Sequence, residues 1–359
     1  MNTKVINWYG SFGEGQGYSG MSENIVRVLV RKGLDIRTIT YSKTPNRNLS
    51  KEFQEIKAKT FELGKVGIFL GFPNGFSSIQ NEYKIGYTMF ETDKLPNGRH
   101  NGKNDWAGKD GDAVDKCNQL NELWVPCHQN KEVFEREGVT VPIKVVPAGV
   151  DPTEYYLLNR DKRGNKPFTY LMLGTLTARK NPGAVISAFM ALFGDRKDVK
   201  LVLKTQDGTL GHLEFPTNNI EIIDKPYPRW RIKKLYADAD CFVFPTRGEG
   251  FGLPPVEAMA TGLPVIFADH TGMHEFANDK YNYPIRKNVL TPAFRYPHNW
   301  GDVGNWYEPD YEEFKTLMKY VFDHKEEAKA KGLKASKWVR SNWTTNNTAN
   351  KIIKELRRI

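Results

Sequence analysis

Phe242–Ile266 reads FVFPTRGEGFGLPPVEAMATGLPVI, and its punctuation decides the fold class. Cys241–Pro245 is an apolar run short enough for a buried strand. A loop carrying Gly248, Gly250 and Gly252 follows. A helix then opens at Pro254-Pro255, because proline is tolerated in a first turn where its missing N–H has no partner anyway. It runs to Thr261, and a second buried strand, Pro264–Phe267, comes directly after it. Strand, loop, helix and strand with short connections make a β-α-β unit, which implies parallel strands covered by helices.

The same alternation extends in both directions. Upstream, strands are expected at Lys4–Trp8, Ile36–Tyr41, Val66–Gly71, Lys84–Met89, Glu122–Pro126 and Ile143–Pro147, with a helix over Met21–Lys32 that Gly33 stops. Asp151–Lys166 is polar and ends at Pro167, so it reads as a linker. Beyond it, strands Thr169–Leu173, Lys200–Leu203 and Ile220–Ile223 alternate with helices Gly183–Phe193 and Trp230–Ala237. From Ala277 to Trp306 the chain is aromatic, Pro-containing and read as irregular. Three helices close it: Tyr311–His324, Glu326–Val339 and Thr345–Arg358. With 359 residues, two α/β domains are expected. Ligands of such sheets bind beyond the carboxyl ends of the strands.

Composition narrows the class. The three cysteines, Cys117, Cys127 and Cys241, are too few and scattered for a disulfide framework or a zinc knuckle. The N-terminus lacks the zones of a signal peptide, and no run reaches the ~18 apolar residues of a membrane span. A cytoplasmic protein is expected, with a peripheral place at the inner membrane face open to it. Lys and Arg number 52 against 42 Asp and Glu, a net charge of +10. That excess favours an anionic partner: a nucleotide diphosphate, nucleic acid or an acidic membrane.

The glycine loop and helix start of Arg247–Ala260 form an anion site. Glycines let backbone N–H groups approach a ligand, and the helix dipole adds ~0.3–1 kcal/mol toward a nearby anion. Glu249 and Glu257, with seven residues between them, frame it. Carboxylates beside a phosphate would repel it, but they accept hydrogen bonds from hydroxyls. A diphosphate flanked by hydroxyls on both sides, as in a nucleotide-sugar, satisfies both demands.

This segment resembles the signature of the retaining, GT-B-fold glycosyltransferases of the E-x7-E (group 1) family. YADADCFVFPT, LGTLTARKNPGAVISAF and TMFETDKLP extend the likeness across most of the chain. The resemblance implies two Rossmann-like domains facing a central cleft: residues 1–152 on the acceptor side and 153–338 on the donor side. Residues 339–359 would form a C-terminal helix crossing back to the first domain. It further implies a retaining, metal-independent hexosyl- or pentosyltransferase using front-face attack. No prosthetic group is implied; a UDP-, GDP- or ADP-sugar is the co-substrate. Glu257 would bind ribose hydroxyls, and Glu249 the donor sugar near its anomeric carbon. Gly250 and the amides of Phe251, Gly252 and Leu253 would hold the sugar or distal phosphate. Lys180 and Arg179 would neutralise the diphosphate, with Lys204 as a further candidate. Tyr227, in Lys225–Tyr227, falls in the base-contacting region.

Gly15-Gln16-Gly17-Tyr18-Ser19-Gly20 matches G-x-G-x-x-G, after a strand and before a helix. Alone it suggests an NAD(P)-dependent oxidoreductase. The acidic residue expected at the end of the second strand is missing, since that strand ends Tyr41-Ser42-Lys43. In the GT-B reading Gly15 and Gly17 approach donor phosphates or acceptor. Glu91, near a place where many relatives have a histidine, would orient the acceptor hydroxyl or help bind the sugar, or serve only as a helix-capping or salt-bridged glutamate. A third class is a non-catalytic nucleotide-sugar binder. Asp238-x-Asp240 and Asp110-x-Asp112 lack the clustered oxygens of a hard-cation site, and no metal is expected. Acceptors in view are glycans, lipids and hydroxymethylated pyrimidines of phage DNA. Basic stretches at Lys43–Lys59, Asn97–Asp112 and Pro284–Trp306 could meet DNA or anionic lipid.

Overall fold

The computed structural model describes residues 2–13, 17–41, 49–96, 113–160, 166–205, 217–294 and 302–359. It divides into two units. The first comprises Met1–Gly149, Ala293–Asn305 and Thr345–Ile359. The second comprises Val150–Pro292 and Trp306–Thr344.

In the first unit the chain runs β1 (Asn2–Gly10), α1 (Gly17–Arg31), β2 (Asp35–Thr40), α2 (Lys51–Lys57), β3 (Gly64–Leu70) and β4 (Tyr83–Tyr87). It continues through α3 (Ala113–Asn118), β5 (Glu122–Val125), α4 (His128–Arg136) and β6 (Ile143–Val145). The sheet order is β2-β1-β3-β4-β5-β6, and each pairing is parallel. Its central strands are buried on both faces, which is why β3 is an apolar run rather than an alternation. Gly64 opens β3 because a Cβ there would stand 1.8 Å from the Val5 carbonyl oxygen. Asn7 Oδ1 accepts from the Gly64 amide at 2.8 Å and from Asn81 Nδ2 at 2.6 Å, fixing where β1 and β3 meet. The order reverses between β1 and β3, so the carboxyl end of β1 lies at the switch point.

The second unit runs β7 (Phe168–Leu173), α5 (Pro182–Phe193), β8 (Val199–Thr205), β9 (Ile220–Asp224), α6 (Arg229–Asp238) and β10 (Cys241–Phe244). Then come α7 (Leu253–Ala260), β11 (Val265–Ala268) and β12 (Tyr283–Ile285). Sheet order is β12-β11-β10-β7-β8-β9, all parallel. Its reversal falls between β7 and β10, so loops leaving those two strands converge on one site. A two-stranded ribbon of β13 (Asn288–Pro292) and β14 (Asn305–Pro309) follows, and α8 (Tyr311–Asp323) and α9 (Lys325–Asn342) complete the unit. The final helix, α10 (Thr345–Leu356), belongs to the first unit and packs on α1. There Thr348 donates to the Pro147 carbonyl at 2.8 Å and Ile352 is fully buried.

Three expectations change. The boundary placed at 152/153 falls at 149/150, and the crossing placed at 338/339 falls at 344/345. Residues 277–306 are not irregular throughout: they hold β12, β13 and the start of β14, and Ala293–Asn305 goes with the first unit. There Asp93 accepts from the Asn305 backbone N–H at 2.6 Å. Finally, Asp151–Arg160 is no free linker. Arg160 donates to the carbonyls of Thr261 at 2.6 Å and Tyr236 at 2.9 Å, closing the C-terminal ends of α7 and α6.

Candidate donor site

The site grows from the carboxyl ends of β7 and β10. After β7 the chain forms a tight turn over Ala178–Lys180, and Asn181 ends it in the left-handed region at φ 60°. That conformation reverses the chain into α5, whose first residue is Pro182. The turn aims Arg179 and Lys180 at the loop after β10. Both donate to Glu249 Oε1, Lys180 from Nζ at 2.6 Å and Arg179 from a guanidinium nitrogen at 2.9 Å. The Thr246 hydroxyl donates to the same oxygen at 3.0 Å. Arg179 also donates to the Gly248 carbonyl. Lys180 is buried, with Nζ 4.8 Å from the centre of the Phe244 ring. It is therefore not a solvated residue at a helix start. Burial alone would raise the Glu249 pKa. The charges of Lys180 and Arg179 and the hydrogen bonds from Lys180 and Thr246 outweigh it, so the carboxyl titrates below its ordinary range.

The loop is held from outside by residues no motif announced. The Glu249 backbone N–H donates to the Thr271 hydroxyl at 3.0 Å, and the Gly272 N–H donates to the Glu249 carbonyl at 2.9 Å. Thr271 sits at φ 50°, unusual for a β-branched residue. His270, stacked on Tyr307 at 5.2 Å, is kept neutral by burial, which pushes its pKa down to about 4. Phe251 is buried, with its ring 5.7 Å from Phe276 and 5.9 Å from Trp343. Gly252 caps α7 at φ 96°, where a Cβ would lie 2.7 Å from Met273 Cγ. Leu253 opens α7, and prolines 254 and 255 follow, so the Leu253 amide and those before it are the donors available at this helix start.

α7 starts one residue earlier than the sequence suggested, at Leu253 rather than Pro254, so Glu257 is its fifth residue, at the start of the second turn. It keeps partial access to solvent. Burial of its carboxyl pushes the pKa up to about 7, against hydrogen bonds from Tyr236, at 2.9 Å, and Tyr155. Lys204, the last residue but one of β8, pairs with Leu173, donates to the Thr205 carbonyl and stands 5.1 Å from the centre of the Tyr227 ring. Lys225 and Arg231 lie 5.9 and 5.3 Å from that ring. One aromatic ring thus has three cations around it.

Gly15, Gly17 and Glu91 belong to the first unit. Gly17 starts α1 at φ 60°, and a Cβ there would meet nothing within 4 Å. Gly15 lies outside the described residues. Glu91 follows β4 and is half-buried. Next to it the Tyr18 hydroxyl donates to the Met89 carbonyl at 3.1 Å and accepts from its N–H at 3.2 Å. Asp238 ends α6, and Asp240 accepts from the Thr169 N–H at 2.7 Å, a structural contact. Asp110 and Asp112, like Asn97–Asp112 as a whole, lie outside the described residues. Among the described residues no group of three or more His, Cys, Asp or Glu could hold a metal ion, and no helix is long and apolar enough to cross a membrane.

Residues 158–289, almost all of the second unit's sheet with this site, match the model of the family described as glycosyl transferases group 1. That segment of the chain is similar to the family. Its curated relatives include an uncharacterized glycosyltransferase of Methanocaldococcus jannaschii, 24% identical over 217 residues (54% of this chain, 52% of the relative). Another is O-antigen chain mannosyltransferase B of Escherichia coli, 31% identical over 127 residues (30% of each). The chain spans about half the length of the first of these relatives and less of the second. Among solved structures, sucrose-phosphate synthase from Thermosynechococcus elongatus superposes with a TM-score of 0.68 at 14% identity, covering 99% of this chain and 98% of that one. HepE of Anabaena, solved with UDP and glucose, superposes with a TM-score of 0.66 at 12% identity over 99% and 100%. The fold is the GT-B fold of these structures.

Proposed function

We propose that the chain transfers a sugar from a nucleoside-diphosphate sugar to an acceptor hydroxyl, with retention at the anomeric carbon and without a metal. The observation that carries this is Glu249: a buried, ionised carboxylate held by Arg179 and Lys180 at the mouth of an amide-lined helix start. The two cations supply the charge that a diphosphate leaving group needs, so the chemistry is provided for by the protein's own residues. Their hydrogen bonds to Glu249 aim them at the anion site before any donor arrives, which is preorganisation of the kind that lowers a barrier.

In this reading the diphosphate lies against Arg179, Lys180 and the amides of Gly250–Leu253. Glu249 accepts from sugar hydroxyls and Glu257 from ribose hydroxyls. The base rests near Tyr227, among Lys204, Lys225 and Arg231. HepE, with UDP and glucose, supports this donor class. Retention follows from front-face attack, in which a diphosphate oxygen takes the acceptor proton, and Glu91 orients the acceptor. A glycan acceptor is favoured by the O-antigen mannosyltransferase among the relatives.

The test is a panel of UDP-, GDP- and ADP-sugars against NAD(P), read by thermal shift and by slow donor hydrolysis. Stabilisation and hydrolysis by one nucleotide-sugar, with hydrolysis lost in Glu249→Ala, is the expected result. Stabilisation by NAD(P) alone would sink the proposal. Glycan, lipid and hydroxymethylated DNA acceptors are then compared with that donor, and the anomeric configuration of the product decides retention.

A further inference from the structure

We propose that Glu308 is a positioning residue for this transfer: through Arg247 and Asn181 it fixes the turn that presents Arg179 and Lys180 to the donor diphosphate. The proposal rests on the donor-site reading above. Glu308 lies in β14, far in sequence from any motif, and its carboxylate is half-buried. Oε1 accepts from Asn181 Nδ2 at 3.0 Å and from an Arg247 guanidinium nitrogen at 3.2 Å. Oε2 accepts from Arg247 Nε. Arg247 thus meets it as a two-pronged fork, the geometry that best fixes a guanidinium.

Arg247 passes the constraint on. Its side chain donates to the Ala178 carbonyl, and its backbone N–H donates to the Arg179 carbonyl at 2.7 Å. Its own carbonyl accepts from the Tyr307 N–H at 3.0 Å, which ties the loop back to the strand that carries Glu308. Every backbone residue from Ala178 to Asn181 is therefore bounded: Ala178 and Arg179 by Arg247, Lys180 by its N–H to the Thr177 carbonyl at 3.0 Å, and Asn181 by Glu308. Asn181 needs the restraint most, because its left-handed backbone is disfavoured for a residue with a Cβ. The side chains of Arg179 and Lys180 project from this turn, so its rigidity sets how well they track the charge that develops on the leaving group.

Glu308 also decides where Arg247 points. Arg247 is the residue immediately before the Gly248–Gly252 loop, and its guanidinium is directed to Glu308 and Ala178. The chain thereby assigns separate carboxylates to separate cations: Glu249 to Arg179 and Lys180, Glu308 to Arg247.

The experiment compares wild type with Glu308→Gln, Arg179→Ala and the double variant, using UDP-glucose, GDP-mannose and ADP-glucose as donors. Glu308→Gln keeps the shape and an acceptor for Asn181 but loses the ion pair. Its kcat for donor hydrolysis is expected to fall about tenfold with the donor KM within about twofold. The double variant should be no more than about twofold slower than Arg179→Ala, because both changes act through one turn. Multiplicative effects, or an unchanged kcat in Glu308→Gln, would overturn the proposal. Amide hydrogen exchange at Asn181 and Arg247 is measured in parallel, and tenfold faster exchange is expected in Glu308→Gln. Unchanged exchange there also overturns it. If wild type turns over none of the donors, the proposed function fails while exchange still decides the role of Glu308.

Discussion

Glu249 makes opposite demands on binding and turnover, and this separates it from an ordinary buried ion pair. In the ligand-free site it draws on the positive charge of both Arg179 and Lys180. Glu249→Gln removes that competitor, so a free nucleoside diphosphate should bind about tenfold more tightly while sugar turnover is lost. Lys180→Ala should act the other way on binding, weakening the diphosphate by about tenfold or more. Isothermal titration with UDP and GDP checks both signs, and weaker binding by the Gln variant would contradict the arrangement. Glu257 yields a pH dependence. Its carboxyl, with a pKa near 7, must ionise to accept ribose hydroxyls well, so donor binding expels a proton. Nucleotide affinity should rise up to about tenfold from pH 6 to pH 8 and flatten in Glu257→Gln. The same shift has a stability sign: between the ordinary carboxylate range and about 7 the folded site holds a proton the unfolded chain has lost. Rising pH through that window therefore lowers the stability of the ligand-free protein. Glu249, Glu257 and the glycines were legible because loop chemistry packs them into fourteen consecutive residues. Tyr155, Tyr236, Thr271 and Glu308 were not, because each arrives from a separate element and nothing in its local sequence marks it.

At the scale of elements, apolar periodicity found the sheet strands and the long helices within a few residues, since burial on both faces writes itself as apolar runs. It failed where elements are short or edge-placed. β12 has three residues, and β13 exposes Val289 and Leu290 at 66% and 56%, so neither shows the pattern of a covered strand. Asp151–Arg160 failed differently: polarity suggested a linker, but Arg160 uses its charge to close two helix ends. Arg160→Ala leaves the Thr261 and Tyr236 carbonyls without that donor and should cost about 2 kcal/mol. For a unit of this size that lowers Tm by about 4–8 °C. Calorimetry checks it, and an unchanged Tm would show that solvent serves those carbonyls equally well. Donor affinity should fall too, because Thr261 ends the helix whose other end forms the anion site.

For the whole molecule, the order of strands told more than their number. A β12-β11-β10-β7-β8-β9 sheet has one reversal, and the residues nearest it are those that the Glu249 motif had singled out. The first unit carries the same kind of reversal between β1 and β3, where residues 14–16 of the Gly-rich segment lie outside the described residues. No fixed spacing links Gly17, Tyr18 and Glu91 in the sequence, so what this end of the first unit does was not legible there.

The units also differ in how the chain builds them. α10 belongs to the first unit, lies on α1 and follows the entire second unit in sequence. A ribosome making this protein therefore releases β1 to β6 early, yet that sheet waits for a helix translated about two hundred residues later than β6. The second unit, by contrast, has all its segments before that point. During synthesis the second unit reaches its full complement of contacts first, and the first unit is completed only once α10 has emerged.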